Sequence, residues 1–95
     1  MSMSLRTNKF YFKKTYGRFY IVNQEIELPM GGTYKTSGIT RAYIEPLLAE
    51  LNKLVSVEPH IKDSPWEFMQ GVKLRLKNDE DEAYFNLIVA NGFEI

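Results

Sequence analysis

Aromatic and β-branched residues dominate the chain from Lys9 to Leu28, with one break at Tyr16-Gly17. Such residues suit the pleated, half-buried surface of a strand, and glycine supplies the positive φ of a tight turn. The segment therefore predicts a β-hairpin. With Tyr16 and Gly17 as a two-residue loop, Thr15 stands opposite Arg18, Lys14 opposite Phe19, Phe12 opposite Ile21 and Phe10 opposite Asn23. Side chains alternate across a strand. This register puts Phe10, Phe12, Phe19 and Ile21 on a face to be covered, and Lys9, Tyr11, Lys13, Arg18, Tyr20 and Val22 on a wet face.

Leu28-Pro29-Met30-Gly31-Gly32 closes the strand region, and the small polar stretch from Thr33 to Gly38 predicts a loop. Ile44, Leu47, Leu48, Leu51, Leu54 and Val55 then recur at helical spacing. Pro46 is tolerated only in a first turn, so this helix starts near Tyr43 or Ile44, and its stripe is the expected lid for the phenylalanine face. Ser64-Pro65-Trp66-Glu67 has the form of a helix start, with serine as cap and proline at the first helical position. Trp66, Met69, Val72 and Leu76 fit one helical face, yet Gly71 interrupts it and Val72 to Leu76 alternates as a strand does. A short helix followed by a strand is the expectation. Asp79 to Glu82 place acids in a first helical turn, and Asn91-Gly92 before Phe93 suits a C-cap. Tyr84 to Val89 thus predict a last helix, against a competing hairpin of Leu74–Leu76 with Phe85–Val89. Either way the fold class expected is α+β, an N-terminal antiparallel β-hairpin or small sheet packed against two or three α-helices.

Ninety-five residues make one domain, 1–95, with 1–7 expected as a flexible tail. At 44% hydrophobic and 14% aromatic, the chain has the apolar content to fold. Twelve basic and twelve acidic residues cancel, which removes any protein-wide field aimed at nucleic acid or membrane. Without cysteine there is no disulfide, thiolate metal site or cysteine nucleophile. No apolar run approaches the ~20 residues that span a bilayer, and Met1 to Asn8 lack the apolar stretch of a secretory signal. The expectation is a cytoplasmic protein with no membrane contact. The charge is nonetheless uneven. Met1 to Gln24 carry Arg6, Lys9, Lys13, Lys14 and Arg18 and no acid, whereas Asn78 to Ile95 carry Asp79, Glu80, Asp81, Glu82 and Glu94 and no base. Ends charged in this way either pack together or mark two binding faces.

Candidate chemistry is sparse. His60 is the only histidine, and Glu58, His60 and Asp63 in a proline-containing connection are too few for a metal site, so no metal is expected. Counted from Asp79, Tyr84 and Ala90 stand where a calcium loop needs glycine and glutamate. Gly31 to Gly38 has Tyr34 in place of the glycine that precedes Lys-Thr in a phosphate loop, although its small residues let backbone amides approach an anion. No Gly-x-Ser-x-Gly elbow is present, and no catalytic residue or cofactor is assigned. Ser37-Gly38-Ile39-Thr40-Arg41-Ala42-Tyr43-Ile44 followed by Leu47-Leu48 resembles the Gly-x-Gly-x-x-Leu helix start of the N-acetyltransferase family. Glu82-Ala83-Tyr84-Phe85 through Asn91-Gly92-Phe93-Glu94 resembles that family's late helix. The resemblance implies acetyl-coenzyme A binding, with Thr40 at the second phosphate-loop glycine and Ile88 at the acid tyrosine.

One surface alternates cations with tyrosines: Lys9, Tyr11, Lys13, Arg18 and Tyr20. Rings stack on unpaired bases while cations neutralise phosphates, although the chain lacks an RRM signature. Tyrosine, tryptophan and arginine also anchor protein interfaces, which adds Tyr34 and Trp66 as candidates, the latter unless it is core. The function expected is a non-enzymatic interaction protein, a small inhibitor or regulator that binds and blocks a larger protein complex, of the kind phages and mobile elements encode. The alternatives are a single-stranded nucleic-acid binder using the hairpin face and a reduced acetyl-coenzyme A-binding domain. The hairpin edge offers a strand to a second copy, which would give a homodimer.

Overall fold

The computed structural model describes residues 9–66 and 70–95. The expected tail at 1–7, and residues 67–69 of the expected second helix, lie outside them. The chain runs β1 (Lys9–Lys14), β2 (Phe19–Glu27), β3 (Thr33–Lys35), a 3-10 turn (Arg41–Tyr43), α1 (Ile44–Asn52), β4 (Val57–Lys62), β5 (Gly71–Leu76), α2 (Asp79–Ile88) and β6 (Phe93–Glu94). The strands form one sheet in the order β4-β5-β2-β1-β6, with β3 beside β2. Every pairing is antiparallel. β2 is the hub of the sheet. Its β1 edge is occupied from Tyr20 to Glu25, so its other edge is divided, Phe19–Ile21 pairing with β5 and Glu25–Glu27 with β3.

Alternation sends Phe10, Tyr20, Val22, Val72, Leu74, Leu76 and Val57 to one face, where they form a core with Leu47 and Leu51 of α1 and Phe85 and Val89 beyond. The Phe85 ring stands edge-on to Phe12 at 5.2 Å and to Tyr20 at 5.0 Å, and Phe10 meets Tyr43 at 6.4 Å. Such pairs add about 0.5–1.5 kcal/mol beyond their burial. Both helices therefore lie on the same side of the sheet. This is an α+β domain in which, among the described residues, no helix covers the other sheet face.

The hairpin register differs by one residue from the sequence expectation. Thr15 N–H donates to the Phe19 carbonyl at 3.0 Å, and Phe19 N–H donates to the Tyr16 carbonyl at 3.0 Å. Thr15 and Tyr16 thus stand together opposite Phe19, which is a β-bulge. The turn itself is Gly17-Arg18, with Gly17 at φ 55 and Arg18 at negative φ, the sign pattern of a type II′ turn. The extra residue puts Lys14 opposite Tyr20, Phe12 opposite Val22 and Phe10 opposite Gln24. A slip of one residue exchanges the faces of a strand. Tyr20 (3% exposed) and Val22 are accordingly core residues and not part of the wet face, whereas Phe19 and Ile21 move to the open one.

Other expectations change as well. Thr33–Lys35 is a strand and not a loop, and His60 lies in β4 and not in a connection. Ser64 to Trp66 is irregular, not the first turn of a helix. Ser64 Oγ accepts from Trp66 N–H at 3.2 Å, as a cap would, but the buried Gln70 takes up the neighbouring backbone groups. Its Oε1 accepts from Ser64 N–H at 3.1 Å, and its Nε2 donates to the carbonyls of Ser64 at 3.0 Å and Trp66 at 2.6 Å. In the last segment the helix prevails over the competing hairpin. Asn78 caps it by accepting from Asp81 N–H at 2.8 Å, the helix ends at Ile88, and Gly92 serves the turn into β6.

Because Phe85 is the side chain of α2 that meets two rings of the hairpin, Phe85→Ala should cost about 3–5 kcal/mol in chemical denaturation. A loss under about 1 kcal/mol would mean that α2 is held to the sheet by something else.

Candidate binding face

The face of the sheet turned away from the helices gathers residues from four strands. Directly opposed residues of neighbouring strands share a face. Lys13 of β1 lies opposite Ile21 of β2, Ile21 opposite Lys73 of β5, and Lys73 opposite His60 of β4. One row across the sheet therefore reads Lys13, Ile21, Lys73, His60. The adjacent row begins at the bulge with Tyr16 and continues through Phe19, Arg75 and Glu58. Lys62 lies on the same face beside Gly71.

Rings and cations interleave in these rows. Phe19 lies 5.3 Å from the Tyr16 ring and 5.4 Å from the His60 imidazole, and the Arg75 guanidinium stands 6.0 Å over Phe19. Lys73 Nζ lies 5.8 Å from the centre of Tyr16. Glu58 is the acid of these two rows, and it is already engaged, by His60 Nε2 at 3.0 Å and Arg75 Nη1 at 3.3 Å. A half-open depression of about 450 Å³ lies between Ile21, His60, Lys62, Gly71 and Lys73.

The residues singled out from the sequence separate into two groups. Lys9, Tyr11 and Lys13 do lie on the open face. Tyr11 donates its hydroxyl to Glu25 Oε1 at 2.9 Å, and its ring carries Lys35 at 4.4 Å and Lys9 at 5.7 Å. The Tyr11 hydroxyl, with help from Thr33 and the two lysines, holds the Glu25 carboxyl below its usual range. Arg18 and Tyr20 are drawn the other way, toward α2. Arg18 pairs with Asp79 through Nη2 at 2.9 Å and Nε at 3.0 Å. Tyr20 donates to Glu82 Oε2 at 2.7 Å, where Lys14 also binds at 2.7 Å, and Asn86 donates to the Tyr20 hydroxyl at 3.1 Å. The basic start and the acidic end of the chain thus pack together here. Lys14, then Tyr20, hold the Glu82 carboxyl below the usual carboxylate range, and Glu82 in turn raises Lys14. Burial, and then the bond to Glu82, push the Tyr20 phenol up.

Sequence reasoning missed Phe19 and Ile21 because of the bulge. It missed Lys73, Arg75, His60 and Lys62 because they reach this face only through pairing far along the chain. The polar alternation of Lys73 and Arg75 within Val72–Leu76 was the available signal. Tyr34 is exposed on β3, and Trp66 is 67% exposed, so Trp66 is not core. The turn between β2 and β3 carries Leu28, exposed, and Met30, 97% exposed.

In and beside the loop that resembles a coenzyme phosphate cradle, three amides are committed within the fold. Thr36 N–H donates to the Gln24 carbonyl at 2.9 Å, Ile39 N–H to the Gln70 carbonyl at 3.1 Å, and Thr40 N–H to Gln24 Oε1 at 2.8 Å. Those donors do not face an open anion site. Among the described residues no three His, Asp or Glu side chains group as metal ligands, and no helix is long and apolar enough to cross a membrane. Compared with known proteins, the chain matches no family model, no curated protein and no solved structure.

Both Glu82 and Glu25 have folded pKa values below the unfolded one, which for glutamate is about 4.3. Their contribution is complete above that value and is lost as the pH falls through the folded pKa. The denaturation midpoint should therefore drop as the pH is lowered below about 4, and Glu82→Gln should flatten that drop while lowering the midpoint at pH 7. An acid limb unchanged in both Glu82→Gln and Glu25→Gln would show that other carboxylates govern it.

Proposed function

We propose that this chain is a non-enzymatic interaction protein that acts by occupying its target, that the open sheet face is its contact surface, and that the target of that face is a single-stranded nucleic acid. The observation that carries this reading is the pair of rows in which Lys13, Lys73, His60 and Arg75 surround Ile21, Phe19 and Tyr16. Unpaired bases stack on such rings at about 1–3 kcal/mol each, and ammonium and guanidinium groups neutralise phosphates. A flat sheet suits splayed bases better than a duplex groove, which would call for a protruding basic element. The net charge of zero in the whole sequence does not oppose this. Arg18 and Lys14 are neutralised by acids of α2 and Arg75 pairs with Glu58, while Lys13, Lys62 and Lys73 stand near Ile21 on the open face.

A second reading, a protein target that the chain binds and blocks, is favoured by the β2–β3 turn. Met30 there is almost wholly exposed, with Leu28 and Tyr34 beside it, and methionine and tyrosine are enriched at interface cores. Acetyl-coenzyme A binding has no comparable support, given the committed amides of Thr36, Ile39 and Thr40.

Titrating the protein into labelled single-stranded and duplex oligonucleotides at several salt concentrations separates the two readings. Binding should favour the single strand and weaken with salt. Lys13→Ala with Lys73→Ala should reduce the slope of log K against log salt by about 1.4, since each phosphate contact on a single strand contributes about 0.7. The absence of binding at low salt would overturn the nucleic-acid reading. In that event a photo-crosslinker at position 30 should capture a protein partner that Met30→Ser no longer retains.

A further inference from the structure

Gly71 opens β5 without needing to be glycine. Its φ is not positive, and a Cβ built there would meet Lys62 Cβ at 3.6 Å and the Lys62 carbonyl at 3.8 Å, both ordinary contacts. Glycine weakens a strand through its larger backbone entropy and its lack of a side chain to pack, and its place within one often marks the close approach of a ligand. Here Gly71 lines the depression of about 450 Å³ on the open face and puts no side chain into it. That volume falls among small-ligand sites, which run ~300–1,000 Å³.

The lining is specific in character. Ile21 and the Gly71 Cα give an apolar floor, His60 forms one wall, and Lys62 and Lys73 add two long cationic side chains to the rim, the Lys73 ammonium resting 5.8 Å from the Tyr16 ring. An aliphatic ligand would desolvate the lysines without pairing them. An acidic group alone would leave Ile21 and the imidazole unused. A planar ring joined to a phosphate uses all of them. We propose that the hollow at Gly71 seats one nucleotide of the bound strand, with its base over Ile21 and Gly71 and its phosphate held by Lys62 and Lys73. This seat rests on the nucleic-acid reading of the open face and names the point on it where a base is held.

The experiment compares wild type, Gly71→Ala and Gly71→Val. Valine suits a strand and its side chain would project into the hollow from the Gly71 floor, so Gly71→Val should keep or raise the thermal midpoint. Its affinity for a single-stranded oligonucleotide should fall about tenfold, the loss of one stacked base, with Gly71→Ala between the two. If Gly71→Val fails to fold, Gly71→Ala carries the comparison, because its added methyl meets only ordinary contacts. Folded variants that bind the strand like wild type would overturn the seat while leaving the open-face reading intact. If wild type binds no strand at low salt, that reading fails and the seat is judged alone with adenosine and uridine monophosphates. Amide NMR shifts at Ile21, Gly71 and Lys73 that Gly71→Val abolishes would support a seat for a free nucleotide, and no such shifts would overturn it.

Discussion

The bulge at Thr15 and Tyr16 sets the parity of β2, and β2 is the strand on which the sheet is assembled. It carries β1 on one edge and shares the other between β5 and β3. Side chains repeat every two residues along a strand, so one added residue in the turn decides which half of β2 meets the helices. With the bulge in place, Tyr20, Val22 and Gln24 point into the core and Phe19 and Ile21 point out. Everything that pairs with β2 inherits this choice. Leu74 follows Tyr20 inward, and Lys73 follows Ile21 outward.

A strand that serves two neighbours on one edge must manage the gap between them. Gln24 sits near that gap. Its carbonyl accepts from Thr36 N–H and its side-chain oxygen accepts from Thr40 N–H, so two backbone donors beyond β3 are satisfied by one buried residue. Gln70 does the same on the other side, exchanging backbone bonds with Ile39 and gripping Ser64 and Trp66 with its amide. Leaving such buried donors unpaired costs about 1–3 kcal/mol each. Two glutamines in the interior of a small domain are therefore consistent with its irregular connections, not an anomaly in its core.

With both helices on one side, the remaining face must be tolerable in water, and its lysines, arginine and glutamates make it so. The same arrangement separates the charges. Acids of the α2 first turn take up Lys14 and Arg18 near the hairpin turn, while Lys13, Lys62 and Lys73, with the Glu58-paired Arg75, lie around Phe19, Tyr16 and Ile21. A chain of zero net charge thereby has a locally cationic, ring-bearing surface. β4, at one end of the sheet, is poorly suited to adding a strand from another chain. Val57 N–H is capped by Asn52 Oδ1 at 3.1 Å, and Pro59 has no N–H to give.

Much of the architecture was written locally. The stripe Ile44, Leu47, Leu51 specified α1, while the acids after Asn78 favoured α2 over a hairpin and the alternation Val72 to Leu76 favoured β5 over a helical face, because each signal depends on neighbours within a turn or two. The α+β class followed from these. The bulge did not, since Tyr16-Gly17 and Gly17-Arg18 are both acceptable turns and the decision lies in which parity buries Tyr20 against Phe85 and Glu82. The Ser64 helix start was outweighed by Gln70, whose burial no local rule reveals. Three of the five candidate residues, Lys9, Tyr11 and Lys13, were placed on the open face by period-two alternation alone. Phe19 joined them through the bulge, and His60, Lys62, Lys73 and Arg75 through pairing with strands far along the chain, which the local alternation of Lys73 and Arg75 does not by itself specify.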